Sequence, residues 1–326
     1  MVVQLAAEQV PEPIRPFNPT RDMAGLASLI EVAFGPELAL TGSRMVQDMR
    51  QMALLGPMLS LAGRVASLFS GYVWIEDGRL VGNVTLTQEK DPKVWTISNV
   101  AVLPDYRRRG IAAQLMDVAI EHVRRRGGRR ILLQVRSNNE GAIRLYRRLG
   151  FVTYDVQHEL DISSSAWPVS VGPLRPGLRA VRPRDGAGLY NLIVRSTPEE
   201  VLARRPIHRG AYRRGLGWRL QQWWHTLMGG QEWFELLAEE EGRPVAYGSV
   251  TAYMLRGPHE LQTYVLPEHR GHWELPLAEG LFALLRNVPR YAMRSYVSAT
   301  HPQALEALRL LGFRLLRTLN QMSLDL

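Results

Sequence analysis

The chain contains no cysteine. That excludes a disulfide framework and any thiolate-bound metal centre, and it suits a reducing compartment. Lysine is nearly missing as well: of the 40 Lys and Arg residues only Lys90 and Lys93 are lysine. No apolar run looks long enough to cross a bilayer. The strongest suspect, QMALLGPMLSLAG at residues 51–63, is short and broken by Gly56-Pro57. The opening MVVQLAAEQVPEP has no basic segment before an apolar core, so it reads as a frayed tail and not as a secretory signal. There is no Walker loop and no Gly-x-Gly-x-x-Gly dinucleotide turn.

What is present is globular material enough for two domains: 326 residues, 46% hydrophobic and 22% charged. The formal net charge of +9 favours anionic partners such as phosphates, nucleic acid or headgroups. Arginines at helix ends and on solvated faces account for the same excess more plainly. RRPIHRGAYRRGLGWRLQQWW at residues 204–224 mixes arginine with Trp218, Trp223 and Trp224. It reads either as a nucleic-acid or membrane face or, the reading preferred here, as an amphipathic helix with its aromatics in a core.

The chain repeats itself. TRDMAGLASLI (20–30) resembles PRDGAGLYNLI (183–193), GRLVGNVTLT (78–87) resembles GRPVAYGSVT (242–251), VLPDYR (102–107) resembles VLPEHR (265–270), and LGF occurs at 149–151 and 311–313. The four matches keep their order at offsets of 162 to 164 residues. Two copies of one α/β unit are expected, at 14–162 and 177–326, joined by a Ser/Pro/Gly-rich linker at 163–176.

In the first copy Asp22 is expected to cap a helix running to about Phe34, with further helices near 42–55 and 58–68. GYVWIEDGRLVGNVTLT reads as a hairpin turning at Asp77-Gly78. Val94–Val102 is a strand, and from Gly110 a helix places Ile111, Leu115, Val118 and Ala119 on one face before ending at Gly127-Gly128. ILLQV (131–135) is a buried strand, residues 139–149 a short helix with Ala142, Leu145, Tyr146 and Leu149 on one face, and Phe151–Ile162 a closing strand.

The stretch PDYRRRGIAAQL (104–115) therefore joins a strand to a helix. Helix-start N–H groups lack intrahelical partners and sit at the positive end of the dipole, so they form an anion site. Gly110 lets a phosphate approach the bare backbone, and Arg107, Arg108 and Arg109 add charge at the rim. A pyrophosphate would suit it; a basic loop before an ordinary amphipathic helix is the alternative.

Arg107-Arg-Arg-Gly110-Ile-Ala112 resembles the Arg/Gln-x-x-Gly-x-Gly/Ala signature of the GNAT superfamily of acyl-CoA-dependent N-acyltransferases. VRSNNEGAIRLYRRLGF is similar to that family's fifth strand and next helix, in the form found in ribosomal-protein alanine acetyltransferases. The resemblance covers nearly all of copy one and, more faintly, copy two. It implies two tandem GNAT-like domains, each a mixed, mostly antiparallel sheet flanked by helices, of the α/β (α+β) class.

It further implies acetyl-CoA as co-substrate and no metal. Arg107, Arg108, Arg109, Gly110, Ile111 and Ala112 would cradle the pyrophosphate, and Val100, Ala101 and Val102 would meet the pantetheine arm through their backbone. Asn139 matches a coenzyme-contacting position, though Asn is also a good N-cap. Tyr146 matches the phenol that protonates the leaving thiolate; a core tyrosine is the alternative. Where the alanine acetyltransferases carry a glutamate before Val-Arg this chain has Gln134, and Ser98 and Asn99 on the preceding strand are not basic. Glu31, Glu89, His158 and Glu159 remain as candidate bases, and the Val102 N–H as an oxyanion donor.

In copy two, Trp273 stands at the place of Gly110 and Leu275 at that of Ala112; Leu308 replaces Tyr146 and His301 replaces Asn139. That copy is expected not to bind coenzyme A, with His301 a helix-start residue. The expectation is a cytoplasmic N-acetyltransferase acting on a small-molecule or peptide amine, with no membrane or nucleic-acid partner. The rival is an acyl-CoA-binding sensor or scaffold without turnover.

Overall fold

In a computed structural model of the protein the described residues are 13–41, 44–54, 70–168, 174–212 and 230–326. The N-terminal tail, the helix expected at 58–68, most of the apolar stretch at 51–63 and the tryptophans of 204–224 lie outside them.

Two compact units divide the chain. The first runs through Val135, resumes at Asn139–Val152 and takes in Gln321–Leu326; the second holds Arg136–Asn138 and Thr153–Asn320. The expected split at 162 and 177 is thus crossed at the closing strands: residues 153–162 count with the second unit and the last six residues with the first. Trp167, in the expected linker, is buried in the second unit's core.

In the first unit, β1 (Ile14–Pro16), β2 (Ser70–Glu76), β3 (Arg79–Gln88), β4 (Val94–Val102) and β5 (Arg130–Arg136) lie in that order in the sheet. All neighbours run antiparallel except β4 and β5, which are parallel. Beside them are α1 (Pro19–Thr41), α2 (Met45–Leu54), α3 (Ile111–Arg125) and α4 (Glu140–Arg148). The β2–β3 turn is the expected Asp77-Gly78, both residues at positive φ (50° and 73°), the twist a two-residue hairpin needs. Gly82 lets α3 settle on β3, since a Cβ there would stand 3.0 Å from Ile111 and 3.1 Å from Leu115.

Helix α1 corrects the sequence reading at both ends. Asn18 is the cap, taking the Thr20 N–H at 3.0 Å, and the helix continues to Thr41. Asp22 sits inside the first turn. It accepts the Asn18 N–H at 2.8 Å and both Arg15 guanidinium nitrogens at 2.6 and 2.8 Å. Contrary to the expectation from sequence, Pro19–Leu40 is long and apolar enough to cross a membrane by length and composition. Met23, Leu26, Ala27, Leu29 and Ile30 of this helix pack into the unit's core.

In the second unit β6 (Val152–Ile162), β11 (Met293–Ser298), β10 (His259–Val265), β9 (Arg243–Tyr253), β8 (Gln231–Glu240) and β7 (Leu178–Ala180) are neighbours in that order. With them go α5 (Gly186–Ser196), α6 (Glu199–Arg204), α7 (Glu274–Leu284) and α8 (Pro302–Leu310). The final strand, β12 (Arg314–Asp325), gives its residues 321–325 to the first unit.

Each sequence repeat has a physical counterpart. Asp185 is clasped by Arg179 at 2.6 and 3.0 Å as Asp22 is by Arg15. Glu241-Gly242 turns β8 into β9 at φ 49° and 73°. Pro104–Tyr106 and Pro267–His269 are matching single turns. In both LGF triplets glycine takes a left-handed φ, 90° at Gly150 and 94° at Gly312, and ends its helix. The following Phe N–H then bonds back to Tyr146 O or Leu308 O.

Candidate active site

Strand β4 parts from β5 toward its C-terminal end and bulges against β3, with which it stays paired. Its parallel pairing with β5 runs from Val94↔Arg130 to Ile97↔Leu133 and stops, while β4 goes on to Val102 and β5 to Arg136. On the other side Asn83 pairs with Ala101 but Thr85 with Ser98, so Asn99 and Val100 together face Val84. This is a β-bulge, with Asn99 at φ 51°.

Past the bulge, Leu103 N–H bonds Val81 O at 2.9 Å. Hydrogen-bonded and non-bonded pairs alternate along an antiparallel ladder, so Val102 opposite Gly82 is a non-bonded pair. Its N–H and C=O turn away from β3, toward the side where β5 has diverged. The Val102 carbonyl is taken by Arg107 Nε at 3.0 Å.

The chain then makes the Pro104–Tyr106 turn and enters α3 through Gly110, the N-cap, at φ 79° and ψ −2° with no side-chain cap. A Cβ on Gly110 would meet only Gln114 Nε2, at 3.7 Å, so the surface above this backbone is open. Arg107, Arg108 and Arg109 are exposed. Arg109 is held, its guanidinium on Glu76 at 2.7 Å and over the Tyr106 ring at 5.3 Å. Arg108, at φ 63°, has no side-chain partner among the described residues. Ile111 faces the core, so only its backbone belongs to the loop, and Ala112 is half-buried against the same core. An open helix start, a missing Cβ and surrounding guanidiniums fit a diphosphate.

Asn139 is the N-cap of α4, its Oδ1 accepting the Ala142 N–H at 3.2 Å. Tyr146 is buried, its ring 5.9 Å from Phe151. Burial pushes its phenol up to about 12. The hydroxyl makes no hydrogen bond among the described residues. Ile143, absent from the expected apolar face of α4, is buried beside Tyr146.

Of the candidate bases, Glu31 is exposed and paired with Arg50 at 2.5 Å, and Glu89 accepts from Thr96 at 2.5 Å at the far end of β4 from the loop. His158 and Glu159 belong to the second unit: His158 bonds Thr318 at 3.0 Å, and Glu159 is fully buried on Arg317 at 2.5 Å. Gln134 is exposed on β5. Among the described residues no group of three or more His, Cys, Asp or Glu could hold a metal. Sequence reasoning missed Asn83 and Thr85, whose side chains meet the bulge, and Glu76, which holds Arg109. The signal for the first two was a pair of polar residues in the otherwise apolar stretch 80–86.

The corresponding place in the second unit is filled. Trp273 is buried at the N-cap of α7, its Nε1 donating to Glu240 at 2.6 Å and its ring beneath Arg175. The next residue, Glu274, takes the Gly271 N–H at 2.8 Å.

A profile of the acetyltransferase (GNAT) family matches residues 46–151. This chain carries a GNAT acetyltransferase domain. The fold of the whole chain is similar to that of a GCN5-related N-acetyltransferase from Sphaerobacter thermophilus, with TM-score 0.67 and 15% identity over 97% of this chain and 96% of that one. It is also similar to a tandem GNAT protein from the clavulanic acid biosynthesis pathway, with TM-score 0.58 and 17% identity over 96% and 98%. Among curated relatives, the [Ribosomal protein bS18]-alanine N-acetyltransferase of Escherichia coli is 36% identical over 77 residues, 24% of this chain and 48% of that protein. An uncharacterized N-acetyltransferase of Methanocaldococcus jannaschii is 44% identical over 64 residues, 20% of this chain and 28% of that protein. The chain thus spans between 28% and 48% of the length of these relatives. The GNAT match lies on the first unit and on the β4–loop–α3 and β5–α4 segments described above.

Proposed function

We propose that the first GNAT unit is an acetyl-CoA-dependent N-acetyltransferase that moves an acetyl group to a primary amine of a small molecule or peptide by direct attack. The observation that carries this reading is the course of β4: it bulges against β3, parts from β5 and leads through the Pro104–Tyr106 turn to an uncovered helix start at Gly110. The Gly110 loop with Arg108 would hold the pyrophosphate, and the strand edge at Val100–Val102 the pantetheine amides.

The chain's own groups then divide the work. The Val102 N–H, directed away from β3, is placed to meet negative charge building on the thioester oxygen. Tyr146, held protonated with its phenol near 12, donates a hydrogen bond to the departing sulfur. A thiolate has pKa of about 8.5, so such a phenol is a poor source of a whole proton, and the proton that ends on sulfur is supplied by the attacking nitrogen. Solvent would relay it, because Gln134 cannot act as a base and Glu31 and Glu89 are engaged elsewhere.

The bS18-alanine relative's name supports a peptide amine as one acceptor class. Gln134, at the position of that subfamily's glutamate, also favours a second reading: a protein that binds acyl-CoA without turnover. Incubating the protein with acetyl-CoA and a library of small and peptide amines, read by mass spectrometry, separates the two. Acetylated product is expected; calorimetric coenzyme binding with no acetylated amine would leave the sensor reading, and no binding would end both.

A further inference from the structure

We propose that Asn83 is a positioning residue for the coenzyme strand, acting through the backbone of Asn99. The inference rests on the acetyl-CoA reading given above. Asn83 is 1% exposed, in a stretch of β3 that is otherwise apolar except for Thr85. Its Nδ2 donates to Asn99 O at 3.0 Å and to Thr85 Oγ1 at 3.1 Å. Asn99 Nδ2 in turn reaches Thr85 Oγ1 at 3.5 Å.

Asn99 is the left-handed residue of the bulge, at φ 51°, a region that asparagine visits more readily than other side-chain-bearing residues but that a regular strand does not use. Asparagine adopts extended geometry as well, so its neighbours decide which conformation it takes. Among the described residues, the buried side-chain amide that grips its carbonyl is that of Asn83. The bulge shifts β4 by one residue against β3, and that shift sets which N–H groups of Val100–Val102 face the open side.

The chain supplies its own comparison. In the repeat, Asn83 corresponds to Tyr247 and Thr85 to Ser249. Tyr247 donates to Glu235 and stacks on Tyr264 instead. There the ladder between β9 and β10 runs in unbroken register from Ala246↔Val265 to Thr251↔Glu260, without a bulge. The half with the asparagine has the bulge and the open glycine; the half without it has neither, and Trp273 stands where the glycine would be.

The test compares Asn83→Leu, Thr85→Val and the double variant Asn83→Leu/Asn99→Gly by calorimetry with coenzyme A and by steady-state kinetics. Asn83→Leu is expected to weaken coenzyme binding about tenfold, the scale of one hydrogen bond to a buried group, and to raise KM for acetyl-CoA while leaving acceptor KM unchanged. Thr85→Val should do the same more weakly. Glycine adopts positive φ freely, so Asn99→Gly in the Asn83→Leu background should restore affinity, which a merely structural role would not do. Wild-type affinity in a folded Asn83→Leu, or no rescue by Asn99→Gly, would overturn the inference. If Asn83→Leu does not fold, undiminished binding by Thr85→Val overturns it. A wild-type protein that takes up no coenzyme A would instead overturn the acetyl-CoA reading itself.

Discussion

Glu274 accepts a hydrogen bond from His301 Nε2 at 2.7 Å, tying the first turn of α7 to the N-cap residue of α8. Both side chains are buried, and the carboxylate also takes the Gly271 N–H. In the repeat these two residues stand at the places of Ile111 and Asn139, the starts of α3 and α4. The second unit therefore carries a carboxylate of its own at the start of α7. His301, read from sequence as a helix-start residue, is one, and it bonds this carboxylate as well.

It follows that coenzyme A should bind once per chain, in the first unit. Calorimetry should give a stoichiometry near one. Gly110→Trp, which imports the second copy's residue, should abolish binding. Two sites in the wild type, or retained binding in the variant, would contradict this.

Truncating His301 to alanine leaves Glu274 buried with one donor fewer. A loss of about 2 kcal/mol of stability is expected, read as a lowered urea midpoint with coenzyme affinity unchanged. An unaltered midpoint would mean that the pair contributes nothing.

Acid should loosen both units together. Burial alone would lift the carboxyls of Asp22 and Glu274, but the Arg15 bonds to the first and the His301 and Gly271 bonds to the second outweigh it and hold both below their usual range. Asp185 is lowered chiefly by its Arg179 bonds. A depressed folded pKa gives stability that is complete above the unfolded value and lost as pH falls through the folded one. With unfolded carboxyls at about 4, the part of the urea midpoint owed to these three groups should hold down to that range and then fall, after an earlier decline below pH 6.5 from His259, which burial keeps from taking the proton that the unfolded chain accepts. A midpoint flat to pH 3 would refute this.

The three arginines of the loop should not be equivalent. Arg109 is occupied by Glu76 and Tyr106, and Arg107 by Val102 O, whereas Arg108 is unengaged among the described residues. Arg108→Ala should therefore weaken coenzyme binding several-fold and flatten its dependence on salt. Arg109→Ala should do less. Equal effects would show that the Glu76 tether is irrelevant to binding.

Tyr146→Phe keeps the buried ring and its contact with Phe151 but removes the hydroxyl. Turnover should fall about 100-fold or more, with coenzyme affinity and thermal midpoint nearly unchanged. Unimpaired turnover would assign Tyr146 to the core alone.

Local chemistry made much of this legible in the chain. Asp77-Gly78, Gly110, Gly127-Gly128 and the LGF triplets each name a backbone conformation that few other residues accept, so turns and helix ends could be placed from them. The repeat exposed the two copies because several matched residues do the same local work twice, Asp22 and Asp185 among them. What could not be read depends on long-range partners. Asp22 looked like a cap because Arg15, which draws it into the helix, lies across a turn. The bulge at Asn99 is only half-signalled locally: asparagine tolerates a left-handed φ, but the amide that holds its carbonyl lies on another strand. Nor does periodicity reveal that residues 153–162 and 321–326 change units.

That last feature bears on how the protein is made. Met322, Leu324 and Leu326 lie in the core that also holds Ile111, Tyr146 and Phe151, and the Leu326 N–H bonds Arg129 O. A ribosome that has finished Val152 has not yet made residues 321–326 of the same unit. The first unit must wait, part-built, through some 170 further codons, and a gene cut at the linker would yield a first unit without the residues that complete its core.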